Sequence, residues 1–494
     1  MNPSSPDISA PPSPGSRALF LAAALIVLAA LAAYANSLSG PFIFDDQTAI
    51  VDNPTIRHLW PPTESLTPPL NQTTSGRPLL NGSFALNYAL GGLDPFGYHV
   101  LNLLIHLLAG LTFFGLVRRT LLHPSLRERW AGAALPIALA SALIWTVHPL
   151  QTEAVTYVVQ RGESLMGLFY LLTLYTFARS AGSPQPARWQ IFSVLACLLG
   201  MATKEVMATA PLMVFLYDRT FVAGSFRDAW RRRRAYYSAL AATGLLLAAL
   251  MTTTHGRGGT AGFGLPFAWW QYALTQLRVV THYLSLAVWP SPLVLDYGNT
   301  MVEENPYAAL PCALWVLGLV ALALWALRYR PVTGFLGAWF FLILAPSSSI
   351  LPVVTQATAE HRLYLPLAAV VVFAVCGLYA WLGPRSWWAW LALVPVLAWL
   401  TARRNDDYHS VLSIWQDNVA NCPGNARAYN NLGDYWLAAG NPKTALDDYL
   451  DCHGETVANR QPWVNAGSEN CLQPWNQWRA RGPAIDPRPC FDIE

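Results

Sequence analysis

Directly after an apolar stretch at residues 18–34, the chain reads Phe42-Ile43-Phe44-Asp45-Asp46. Adjacent carboxylates are costly where a chain leaves hydrocarbon, so the pair marks a site at a bilayer surface. Like charges side by side split their ionisation, leaving one carboxylate to take a proton from a hydroxyl while the other orients it. The same oxygens also suit a divalent cation. Other ionisable groups flank apolar runs further along. His148-Pro149-Leu150-Gln151-Thr152-Glu153 closes one run and Gln160-Arg161-Gly162-Glu163 opens the next. This is either a polar hairpin or a wall on which Glu153 and Arg161 line the cavity of the Asp pair, with His148 secondary. Lys204-Glu205 forms a tight turn between two short runs, where snorkelling with a local ion pair competes with lipid-phosphate binding. In Glu360-His361-Arg362, the forked arginine donors suit a phosphate, with Glu360 holding their orientation. Arg278 and Tyr283 could serve the same anion, or Arg278 could be an interfacial anchor.

The elements that must position these groups are membrane helices. Apolar residues make up 54% of the chain and charged ones only 12%, with a net charge of +3. Such a composition belongs to a polytopic membrane protein and argues against a nucleic-acid partner. Candidate spans are residues 18–34, 98–117, 133–147, 165–178, 190–203, 206–217, 236–253, 269–289, 307–327, 332–345, 365–382 and 387–400. Cytoplasmic loops retain cations. Arg118, Arg119, Arg127 and Arg129, then Arg179 and Arg188, then Arg219, Arg227 and Arg231 to Arg234 share one side only if 190–217 is two short spans joined at Lys204-Glu205. The later arginines Arg328, Arg330 and Arg385 agree if 269–289 lies re-entrant or along the interface. About eleven crossings result, with the carboxylates, Lys204, Arg278, Arg362 and the C-terminal tail on one external face. The first span is read as an uncleaved anchor, although Ala33-Tyr34-Ala35 looks like a cleavage site.

The fold class is therefore all-α: a membrane bundle with a short helical tail. Residues 1–17 read as a flexible segment, 18–400 as the membrane domain, 401–452 as a helical region, and 453–494 as irregular or disordered. In the tail, Tyr429, Leu432, Gly433, Trp436, Ala445 and Tyr449 fall at the spacing of one tetratricopeptide repeat, with Gly440-Asn441-Pro442 as its turn. A lone repeat needs support from the 410–419 helix or the membrane domain. The seven cysteines follow no metal or disulfide spacing.

The order of several stretches resembles the multi-span glycosyltransferases of the C-type fold, and within them the transmembrane and tetratricopeptide-repeat O-mannosyltransferases. These stretches are Phe44-Asp45-Asp46 with Asn53-Pro54, Gly76-Arg77-Pro78-Leu79-Leu80, Phe96-Gly97-Tyr98-His99 with Asn102 and His106, His148-Pro149 to Glu163, Thr203-Lys204-Glu205, Leu277-Arg278, and Ala359-Glu360-His361-Arg362-Leu363-Tyr364-Leu365-Pro366. The resemblance implies an inverting, metal-independent transfer of one sugar, usually mannose, from a polyprenyl-phosphate carrier to a protein or glycan hydroxyl on the external face. No cofactor beyond that lipid-linked donor is implied. It puts the catalytic carboxylate at Asp45 or Asp46 and phosphate contacts among Lys204, Arg278 and Arg362, supported by Arg77, His148, Glu153, Arg161, Glu205, Glu360 and His361. The chain departs from that pattern in having almost no repeat array. A non-enzymatic scaffold or lipid transporter that recruits partners through the repeat is the competing class, and a lipid-diphosphate glycan ligase is a second enzymatic one. Ala/Leu/Arg/Trp-rich usage suggests a bacterial inner membrane with a periplasmic site.

Overall fold

The computed structural model describes residues 15–70, 72–254, 269–298, 300, 303, 305–349 and 356–459, and among them the regular structure is all helical. The principal helices are α1 (Ser16–Tyr34), α2 (Pro78–Gly91), α3 (Pro95–Leu121), α4 (Ala134–Thr146), α5 (Arg161–Ser180), α6 (Pro186–Met201), α7 (Ala210–Tyr217), α8 (Phe226–Thr253), α9 (Trp269–Val288), α10 (Pro306–Tyr329), α11 (Pro331–Leu344), α12 (Pro366–Leu382) and α13 (Ser386–Asp407). The tail adds α14 (Val411–Asn421), α15 (Ala426–Ala438) and α16 (Pro442–Asn459). Many of these begin on proline, whose missing N–H is harmless in a first turn and whose fixed φ is already helical. The expectation for residues 1–14 and 460–494 falls outside the described residues, and α16 carries helix past 452, where irregular chain was expected.

Five helical stretches are long and apolar enough to cross a membrane: Ser16–Ser39, Pro95–Leu121, Phe226–Thr253, Pro306–Tyr329 and Pro366–Asp407. A sixth arises if Arg127–Thr146 and Pro149–Thr156, bent by 56° at the break, are counted as one. This is a multi-pass integral membrane protein. Helix α1 buries mostly its smaller residues and exposes its larger ones. In α1, Ala22, Ile26, Ala30 and Ala33 face inward while Phe20, Leu21, Leu25 and Leu28 are exposed. Lipid tails solvate leucine as well as a protein core does, so close packing of small residues determines the inner face. Between α10 and α11 the contact is tight enough that a Cβ on Gly334 would lie 2.2 Å from the Leu327 nitrogen.

The loop arginines of 118–129, 179–188 and 219–234 converge on one end of the bundle. There Thr120 of α3 meets the Tyr217 hydroxyl at 2.8 Å, and Arg179 stacks over Trp189 at 4.2 Å. Phe335 of α11 packs on Phe221 at 5.1 Å, and Trp130 on Tyr379 at 6.1 Å, so the chain near Arg330 and Arg385 reaches the same end. Residues 190–217 do form two helices, α6 leaving this end and α7 returning to it, with Lys204 in the break. An apolar cavity of about 470 Å³ occupies this half of the bundle, lined by Phe113, Val117, Trp130, Phe335, Trp339 and Phe373 among others. Helix α9 stays at the opposite end. Its Tyr272 and Tyr283 hydroxyls donate to the carbonyls of Ser347 (2.9 Å) and Ala359 (2.7 Å), and its Gln276 amide to that of Ala357 (3.0 Å).

Where helices break inside the bundle, side chains take up the freed carbonyls, as an environment without water requires. Asn405 donates to Ala33 O at 2.9 Å, His106 bridges Thr146 O and the Tyr364 hydroxyl at 2.9 Å each, and Trp339 donates to Leu365 O at 2.8 Å.

Two ends of opposite character imply two sides of a membrane. With Cys452, Cys471 and Cys490 replaced by serine, a cysteine at Thr67 should react with an impermeant maleimide from one side of sealed vesicles, and one at Gln185 only from the other. Labelling of both from the same side refutes the two-ended arrangement.

Candidate active site

The two carboxylates of the Asp pair have different surroundings. Asp46 is fully buried: Oδ1 accepts the Val159 N–H at 2.7 Å and Oδ2 accepts the Ile43 N–H at 3.1 Å. Burial pushes its carboxyl up to about 8, against the pull of those amides. Its oxygens stitch the loop after α1 to the turn before α5. Asp45 is only half buried. Its N–H donates to the Tyr157 hydroxyl at 2.8 Å, and Oδ2 accepts from Thr73 Oγ1 at 3.0 Å. Its pKa is also raised by burial, with Thr73, Arg427 and Arg77 pulling it down and Asp296 pushing it up. The residue between the clamp and Asp45, Phe44, sits at φ +47°, in the left-handed region that a bulky side chain normally avoids. Such strain costs about 1–3 kcal/mol and persists only where neighbours enforce it. Here the edge contact of Phe44 on Trp415, 5.2 Å between centroids, and the Asp46 clamp enforce it.

A charged cluster adjoins Asp45. Arg77, just before α2, donates from Nη1 to Thr73 O at 2.9 Å and lies 3.7 Å from Glu205. Lys204 is buried and pairs closely with Glu163 at the start of α5. Glu153 holds His361 with both oxygens, Oε2 accepting its backbone N–H at 2.7 Å and Oε1 meeting its Nδ1 at 2.6 Å. Burial, with Lys204 close by, holds His361 well below its ordinary range, so its neutral ring donates Nδ1–H to Glu153. The charges of Lys204, Glu163, Arg362 and Arg77 all reach His361, which joins segments spread over nearly three hundred residues into one polar centre.

Several expected ligands have other occupations. Arg161 does not line this cluster. It is fully buried, and its guanidinium is taken by Asn102 Oδ1 (2.5 Å), Ser83 O (3.2 Å) and Tyr98 O (3.0 Å), over the Phe84 ring. Arg278 turns to Glu303 at 2.9 Å. Arg362 belongs to the cluster, yet its donors are engaged by the carbonyls of Ser347, Ala357 and Gln356. Glu360 does not orient Arg362. It accepts from Val294 N–H (2.6 Å) and the Tyr297 hydroxyl (2.7 Å), holding the loop after α9. His148 caps its own turn through Nδ1 and the Leu150 N–H at 3.3 Å. Thr73, Tyr157, Glu163, Asp296 and Arg427 go beyond the residues singled out from sequence. Only Glu163 carried a signal, as a carboxylate opening an apolar helix. Among the described residues, no group of three or more His, Cys, Asp or Glu side chains is gathered to hold a metal ion.

This division of labour separates structural from chemical effects. Asp46→Asn replaces an acceptor of a buried N–H and should cost about 1–3 kcal/mol of stability. Asp45→Asn should stay within about 0.5 kcal/mol. Thermal unfolding of the detergent-solubilised variants reads the difference, and equal melting temperatures would contradict the assignment.

No family model matches the chain. Among curated proteins, Protein O-mannosyl-transferase TMTC3 of Mus musculus is 26% identical over 86% of this chain and 50% of its own length. Protein O-mannosyl-transferase TMTC4 of Homo sapiens is 27% identical over 87% of this chain and 66% of its own length. The chain thus spans about half the length of the first of these relatives and about two thirds of the second. A crystal structure of ArnT from Cupriavidus metallidurans bound to undecaprenyl phosphate aligns with 95% of this chain and 82% of its own, at 16% identity and a TM-score of 0.43, a level on which no assignment rests. Over most of its own length, this chain is similar to the transmembrane and tetratricopeptide-repeat O-mannosyl-transferases.

Proposed function

We propose that this protein is a membrane glycosyltransferase that moves one sugar, mannose on the strength of its relatives' names, from a polyprenyl-phosphate carrier to a protein hydroxyl at the external face. The observation that carries this reading is the half-buried Asp45. One of its oxygens is held by Thr73, its backbone is fixed by Tyr157, and the charge of Arg77, a member of the ion-paired cluster that holds Lys204 and Glu163, reaches it.

In the proposed reaction the lipid chain stays among the helices while the anomeric carbon rests at the surface. Asp45 takes the proton of the acceptor hydroxyl as its oxygen attacks that carbon. The carbon–oxygen bond to phosphate breaks from the opposite face, so the configuration inverts and the bonding pair leaves with the carrier phosphate. Negative charge then grows on that phosphate, and Lys204 and Arg77, aimed at it, stabilise the transition state more than the ground state. Lys204 reaches the phosphate by exchanging Glu163 for it. Arg362 and Arg278 contribute at longer range: Arg362 by shaping the 346–349 loop, Arg278 by shifting away from Glu303. His361 and Glu153 lock the wall behind Lys204.

The reading extends to topology. Counting the shorter apolar helices with the five or six stretches that are long enough to cross by themselves, we read α1, α3 to α8 and α10 to α13 as about eleven crossings with the arginine-rich end inside. Helices α15 and α16 are read as a single tetratricopeptide-like unit, in which Gly433 lets Tyr449 approach. A bacterial inner membrane with the site facing the periplasm is the setting that the composition suggests.

Purified protein supplied with a labelled polyprenyl-phosphate mannose and a Ser/Thr-rich peptide should release polyprenyl phosphate and mannosylate the peptide. Asp45→Asn should lower the turnover by about two to four decades. Full transfer in that variant ends the proposal, as would retention of the anomeric configuration. The base must be ionised, so activity should fall as pH drops through the raised pKa of Asp45. Thr73→Val removes a hydrogen bond that favours the ionised form, so the acid limb of the pH profile should move upward; a downward or absent shift counts against this role.

A further inference from the structure

The C-terminal helices are fastened to the membrane domain at several points, one of them on the residue before Asp45. Trp415 of α14, itself buried, meets Phe44. Asp417 of the same helix receives Arg404 of α13 at 2.5 Å. Most contacts gather on Asp296, in the loop after α9. Its N–H donates to Asn418 Oδ1 at 3.0 Å, and its carbonyl accepts from Asn418 (3.0 Å) and Asn425 (2.7 Å). Its carboxylate accepts from Asn425 at 3.0 Å and lies 3.4 Å from Arg427 Nε, in the first turn of α15. Glu360 holds the same loop from the other side. Gly298, at φ +50°, lets the loop turn where a Cβ would stand 2.4 Å from Asn425 Oδ1. Asp296 is buried, and its Oδ1 has no hydrogen-bond partner, so Arg427 is the cation that offsets a carboxylate withdrawn from water.

Resting on the transferase reading above, we propose that the tail is part of the active site: Arg427, anchored on Asp296, is a positioning residue for Asp45. Thr73 and Tyr157 contact Asp45 directly, Asp46 adjoins it on its own segment, and the charges of Arg77 before α2, Asp296 after α9 and Arg427 of α15 reach it. Arg427 favours the ionised carboxylate, Asp296 opposes it, and the docked tail keeps the two in balance.

The test uses the full chain in nanodiscs and reads Asp45 directly, by the pH dependence of its modification with a hydrophobic carbodiimide followed by peptide mass spectrometry. Arg427→Gln should move the midpoint upward by roughly three- to tenfold in proton concentration. Arg427→Lys should restore it. An unmoved midpoint in Arg427→Gln, or a lysine variant indistinguishable from the glutamine one, overturns the inference. The acid limb of mannosyl transfer, measured on the same variants, should follow the labelling midpoint. A midpoint that moves while the acid limb stays fixed supports the coupling of Arg427 to Asp45 and refutes Asp45 as the base.

Discussion

Everything at the polar end of this molecule hangs on one buried carboxylate. Asp46 gives its two oxygens to the N–H groups of Ile43 and Val159, from segments separated by more than a hundred residues. A carboxyl group out of water is tolerable only when its oxygens are satisfied, and each buried N–H left without its acceptor would cost about 1–3 kcal/mol. Satisfying them fixes the first loop against α5, forces Phe44 into a left-handed turn and leaves Asp45 projecting toward the cluster. The pair therefore works by division: one member holds the backbone, and the other remains for chemistry.

The wider bundle follows a constraint of the same kind. Breaks in membrane helices strand backbone groups, and this chain places Asn405, His106, Trp145, Trp339 and Arg161 where helices end or bend. Arg161 illustrates how an ionic side chain can be structural. Three segments lend it acceptors, and an aromatic ring covers its face. Hydropathy marks such a residue as exceptional without saying whether it serves a ligand or a loop.

The sequence was most legible where a physical effect is local. Apolar length located all twelve helices from α1 and α3 through α13, because solvation by lipid acts residue by residue. Arginine placement called for a break inside 190–217, and the chain does form separate helices on either side of Lys204, because charge near a bilayer is read by position along the chain. The polar centre was half legible. Asp45, Lys204, Arg77 and His361 do assemble, but the partners of Glu360, Arg278 and Arg362 were misassigned or unforeseen, since sequence neighbours were expected to pair and loops distant in the chain supplied the partners instead. Asp296 and Arg427 belong to no recognisable pattern; only the docking of the tail brings them to Asp45.

The closed pair of Lys204 and Glu163 has a bearing on selectivity. A lysine already neutralised by its own carboxylate projects little field into the surrounding water, so a stray soluble anion gains almost nothing by approaching it. An amphiphile dissolved in the bilayer is held at the surface by its tail, and its headgroup therefore arrives at a high effective concentration. Under the proposed reaction, the resting site discriminates by tethering before it discriminates by charge, and small phosphates abundant in the aqueous phase would be poor competitors.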